Sequence, residues 1–245
     1  MLWSNRLPRA GGLVFLLLAA GIIVSVVASF SVTENDPFSR GEIKGYLQDI
    51  SEHNTEMICG LIASIMIDAV FGILAAVALF TLLRDRAGVV ASGGLVLIVA
   101  ASAAFMVADG LTAVVINIAN DLTEGGAAGV KAGDVQILEV GRAAAIAQNA
   151  TEQVGWTALS GGFLLFSAII AWAPSGVVNP PRFLGIIGVI SGLAGLLSWF
   201  GVVVDAAFVL FIIGALAQLI VLIGLGIWLI SRPAADAEAI RTATT

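Results

Sequence analysis

Six uninterrupted apolar runs constrain this chain more than any other feature: residues 10–30, 57–83, 89–120, 154–173, 183–203 and 206–230. A hydrocarbon core about 30 Å thick takes roughly 20 helical residues, so each run is long enough to cross a bilayer. Inside lipid, a helix satisfies its backbone hydrogen bonds within the segment, which makes helix the expected form of each run. The prolines mark the ends independently, because proline removes a helical hydrogen bond and clashes with the preceding turn. Pro8, Pro37, Pro174, Pro180, Pro181 and Pro233 all fall outside the runs. The predicted fold is therefore all-α: a polytopic membrane protein with six transmembrane helices and a small helical extracytoplasmic cap, forming a single membrane domain over residues 1–245. The first run is too long for the core of a cleaved secretory signal, roughly 7 to 15 residues, and reads as an anchored span.

Composition excludes whole function classes. Only 11% of residues are charged, against roughly 25% in soluble domains. A net charge of -6 leaves no basic face for nucleic acid. One cysteine makes no disulfide within the chain, and no Cys/His cluster is present to hold a metal. The single histidine, His53, lies between runs, as do Lys44 and Lys131. The spans thus contain no Ser-His pair, no His-Glu-x-x-His helix, no axial haem ligands and no Schiff-base lysine. The chain is expected not to be an enzyme and to carry no cofactor.

Lys and Arg in short connections stay in the cytoplasm during insertion. Arg6, Arg9, Arg84, Arg86, Arg182, Arg232 and Arg241 fall on one side of the predicted spans. Both termini are accordingly expected inside, in a multi-pass protein of the cell inner (plasma) membrane whose surroundings are the lipid bilayer and other membrane subunits or further copies of itself. The outer side receives two segments, 31–56 and 121–153, and residues 231–245 form a cytoplasmic tail. In the first segment Ile43, Tyr46, Leu47 and Ile50 repeat at helical spacing opposite charged residues, with Asp36-Pro37 as helix start and Asn54 as end. The second opens on a turn at Gly125-Gly126 and continues as a helix from Asp134 to Gln153 that either extends the fourth span outward or packs back on the bundle. Val135, Leu138, Ala145 and Ile146 form its expected apolar stripe. Gln136, Glu139, Arg142, Gln148, Asn149 and Glu152 form its polar side.

Carboxylates inside a span are costly and mark candidate sites. Asp68 and Asp109 each lie eleven residues inside the outer end of consecutive runs, which places both roughly 16 Å below the outer boundary at 1.5 Å per residue. Gly60, Ser64, Asp68 and Gly72 repeat at i+4, and Asp109 shares its side with Ser102, Thr112 and Asn117 or Asn120. Gln218 falls near the same level, so Asp68, Asp109, Gln218 and Ser64 are the predicted intramembrane polar centre. Three states are open to it: protonated hydrogen-bond donors, a pair sharing one proton, or a cation site. Gly185, Gly188, Gly192 and Gly195, at spacings of three, four and three, predict a helix-packing face. Cys59 reads as a small apolar packing residue.

Pro181-Arg182-Phe183-Leu184-Gly185 with Gly188 and Gly192, the closing Gly226-Ile227-Trp228-Leu229-Ile230, and the opening Arg9-Ala10-Gly11-Gly12 resemble a bacterial membrane-protein family. It is the domain-of-unknown-function family numbered four-three-eight-six. The resemblance implies a six-helix integral membrane protein and supplies no catalytic residues. The expected function is structural or accessory, as a subunit of a larger membrane complex, with Asp68 and Asp109 as protonated interhelical hydrogen-bonding groups. The alternative is a small transporter or sensor that uses the pair for proton or cation coupling.

Overall fold

A computed structural model describes residues 7–30, 42–123, 135–172, 180–198 and 206–231; the side chains of residues 7–8, 25–30, 68–69, 123, 206–208 and 211 lie outside that description. Within it the chain is helical, with no strand. In order come α1 (Leu7–Phe30), α2 (Ile43–Glu52), α3 (Asn54–Ile65), a π-helical segment (Met66–Gly72), α4 (Ile73–Thr123), α5 (Val135–Trp172), α6 (Arg182–Ser198) and α7 (Ala206–Ile230). The Asp36-Pro37 helix start, the Gly125-Gly126 turn and the tail from Arg232 lie outside the described residues.

Three helical stretches are long and apolar enough to cross a bilayer: Asn54–Leu122, Val135–Trp172 and Ile212–Ile230. Two shorter helices, Arg9–Val24 and Arg182–Ser198, are also apolar. The first stretch is not one straight helix. Ala87 has non-helical angles, φ -155° and ψ 66°, so two helices meet there, between the second and third apolar runs. The apolar residues face outward as well as inward. On α6, Phe183, Ile186, Ile190, Leu193 and Leu197 are each about half exposed, and they alternate with the glycine face. Water would penalise such a surface, whereas lipid does not.

The chain forms two compact units. One comprises Met1–Ala20, Val70–Ser102 and Gly155–Thr245; the other comprises Gly21–Ala69 and Ala103–Val154. In the first, Gly94 meets the Phe166 ring while Gly162 meets Ile98, so α4 and α5 run antiparallel there. In the same unit α6 lies on α5 and α7, and the buried Ser191 hydroxyl donates to the Gly214 carbonyl at 2.7 Å.

The second unit has its own apolar core. Ile43, Leu47 and Ile50 of α2 pack against Val115, Ile116, Ala119 and Leu122 of α4 and against Ala145 of α5. This is the periodicity expected from Ile43, Tyr46, Leu47 and Ile50. α2 ends at Glu52, two residues before Asn54, because His53 leaves helical geometry at φ -108° and ψ 31°. Its ring Nδ1 lies 3.0 Å from the Asp49 carbonyl, so it closes α2 and opens α3.

Two side-chain expectations change. Cys59 is exposed rather than packed, in keeping with an α3 that has no fully buried residue. The outer stripe of α5 also differs. Val135 is 70% exposed and Ile146 39% exposed, while Gly141 and Ala145 are buried.

Candidate functional site

The buried face of α4 steps by three and four residues through Ala101, Phe105, Ala108, Thr112, Val115 and Ala119. That spacing keeps one side of a helix against a neighbour. Asp109 flanks the stripe and is carried inward with it, only 7% exposed. On α5 the same kind of stripe runs through Gly141, Ala145, Gln148, Glu152 and Gly155. Glycine and alanine at either end let the helix approach closely: a Cβ at Gly141 would stand 3.1 Å from Leu47 and 3.4 Å from Ile118. Gln148 and Glu152 occupy the middle of the stripe and are drawn into the interior of the unit by their neighbours.

Asp109 and Glu152 interact electrostatically across α4 and α5. The Ser64 hydroxyl of α3 donates to Asp109, and Gln148 Nε2 donates to Glu152 Oε1 at 3.0 Å. The second Asp109 oxygen, Oδ2, is fully buried and has no hydrogen-bond partner among the described residues. Tyr46 of α2 completes the cluster. Burial first, and the Glu152 carboxylate second, push its hydroxyl up to about 12. Farther along, Asn120 Nδ2 donates to Asn54 Oδ1 at 3.3 Å.

Of the residues singled out by sequence, Asp109 and Ser64 meet. Asp68 lies in the π-helical segment, and its side chain is outside the described residues. The i+4 repeat of Gly60, Ser64, Asp68 and Gly72 does not hold one face across that segment, because π-helical turns bond i to i+5 and shift the phase. Gln218 is half-buried on α7, in the unit that does not contain Asp109. Gly185, Gly188, Gly192 and Gly195 face α5. A Cβ at Gly185 would stand 2.5 Å from the Ala171 nitrogen and one at Gly192 2.9 Å from the Ser160 carbonyl, while Gly188 and Gly195 press on the Ser167 and Ser160 hydroxyls. Glu152, Gln148 and Tyr46 are the site residues that sequence reasoning did not place here. Their signal was available: from Gly141 to Gly155 the spacing alternates four and three without a break.

Among the described residues three helical stretches are apolar enough to be embedded in a membrane, and the second unit buries a cluster of polar groups around Asp109; these are the features of a helical membrane protein. The family model described as a domain of unknown function, DUF4386, matches residues 10–232. The chain belongs to that family. No curated protein matches it, and neither does any solved structure.

Proposed function

We propose that this is a six-span membrane protein of structural or accessory type, a subunit or scaffold rather than an enzyme, with both termini cytoplasmic and the α2 core forming an extracytoplasmic cap. The observation that carries the reading is Asp109, which hydrogen-bonds the Ser64 hydroxyl between helices instead of facing solvent. Such a contact joins helices where lipid offers no competing partner.

Packing and topology are tested separately. Asp109→Asn keeps a hydrogen-bonding group and is expected to be tolerated, whereas Asp109→Leu lowers unfolding stability by about 1 kcal/mol; an equally stable Leu variant removes the packing role. For topology, single cysteines at Lys44→Cys and Asp85→Cys in a Cys59→Ser background are treated with an impermeant thiol reagent. Labelling of Lys44→Cys in intact cells, and of Asp85→Cys only after permeabilisation, is expected. The reverse pattern inverts the orientation.

A second reading, transport or sensing, is favoured by one observation: the bare Asp109 Oδ2 lies in a cluster that also contains Glu152. In this reading Glu152 takes the partner's place that the sequence assigned to Asp68.

A further inference from the structure

We propose that Asp109 and Glu152 together hold one monovalent cation, a proton or a sodium-sized ion, between α4 and α5. This names the ligand class for the transport or sensing reading and rests on it only in locating the site. The first argument is the orphaned oxygen. Asp109 is 93% buried by its 7% exposure, and its Oδ2 has no hydrogen-bond partner among the described residues. A buried carboxylate oxygen left bare loses its hydration without replacement, and a bound cation restores what was lost.

The second argument is the chemistry of the surroundings. Three elements supply neutral groups to the pair: Tyr46 of α2 and Gln148 of α5 toward Glu152, and Ser64 of α3 toward Asp109. Thr112 is turned to its own helix, its hydroxyl donating to the Ala108 carbonyl at 3.1 Å. Gln148 occupies one Glu152 oxygen and Ser64 engages Asp109, so the donors orient the carboxyls without neutralising them. Arg142, on α5, sits 3.8 Å from Glu139. It is ten residues from Glu152, about 15 Å of helix rise. Two carboxyl groups oriented by neutral donors share the requirement for one positive charge, which is the arrangement of a coupled proton pair and of a small-cation site alike.

The full-length protein in phosphatidylcholine nanodiscs tests this by thermal unfolding, with sodium chloride replacing choline chloride at constant ionic strength and with pH varied between 5 and 8. A Tm that rises with sodium at fixed pH identifies a metal cation, since a ligand that binds only the folded state stabilises it. A Tm that responds to acidification but not to sodium identifies a proton. Either response must vanish in Asp109→Asn and in Glu152→Gln. A wild-type Tm indifferent to both, or a response that survives both substitutions, overturns the site. If Asp109→Asn does not fold, Glu152→Gln alone decides, because Glu152 is the less buried member and Gln retains its pairing with Gln148. Flux into liposomes is read separately: binding without flux leaves the site standing and removes only transport.

Discussion

Two stretches of α5 present the same alternating stripe and use it in opposite ways. Between Ser160 and Ala171 the stripe meets the glycine face of α6 so closely that backbone atoms nearly touch. Between Gly141 and Gly155 the stripe carries Gln148 and Glu152 at its centre, among hydroxyls and a second carboxyl. The first stretch is a close-packed joint in which the Ser160 and Ser167 hydroxyls press against the glycine face. The second draws in polar groups that bond to one another, Gln148 to Glu152 and Ser64 to Asp109. Close packing fixes helices through shape, and polar clusters fix them through direction.

The comparison is broken most directly at the joint. Gly185→Ala places a methyl 2.5 Å from the Ala171 nitrogen and 2.8 Å from the Ser167 carbonyl, atoms that cannot rotate away. Stability is expected to fall by about 1 to 3 kcal/mol, as for other overpacked interiors, with a lower unfolding temperature in detergent as the readout. An unchanged midpoint would mean that α5 and α6 are not held at this separation.

At the polar cluster the sharper probe is pH. Tyr46 is the only tyrosine in the sequence, so ultraviolet difference absorbance reads it without ambiguity. Its folded value of about 12 lies above the ordinary 10. The fold therefore favours the neutral phenol: that contribution to stability is complete below about pH 10 and disappears as pH rises through about 12. Glu152→Gln should move the midpoint back toward 10, since it removes the secondary cause and leaves burial in place. A midpoint at 10 in the unmodified protein would remove Tyr46 from the cluster.

The smallest effect is expected where glycine touches nothing. A Cβ added at Gly110, next to Asp109 but pointing elsewhere, meets no atom within 4 Å. Gly110→Ala should raise stability by about 0.5 to 1 kcal/mol through helix propensity alone. A loss there would show a neighbour that the open space does not reveal.

Much of this was legible in the residues. The apolar runs gave the helices, Ile43, Leu47 and Ile50 gave the buried side of α2, and Gly185 to Gly195 gave a face that meets α5. The partner of Asp109 was less accessible. Glu152 was assigned to the polar side of its helix because its charge outweighed its position, although Ala145, Gln148, Glu152 and Gly155 keep the spacing of a buried stripe. Burial follows the angle around the axis, and a helix whose neighbours are close carries a carboxyl inward whatever its hydropathy. The phase change between α3 and α4 was hidden for a different reason. From Ile58 to Phe80 nearly every residue is apolar, and the repeat of Gly60, Ser64, Asp68 and Gly72 fits an unbroken α-helix, so the pattern does not report an extra residue in a turn.

That extra residue has a consequence for how the chain can vary in length. Deleting one residue within the regular helix of α4 would rotate the helix beyond it by about 100° and turn an outward-facing side toward the interior. Within Met66–Gly72 the wide turns already hold one residue more than an α-helix needs. A single-residue deletion in that segment would relax it to ordinary helix. The segment is thus a slack joint beside length-intolerant helix, a place where the chain can lose one residue and gain regular geometry.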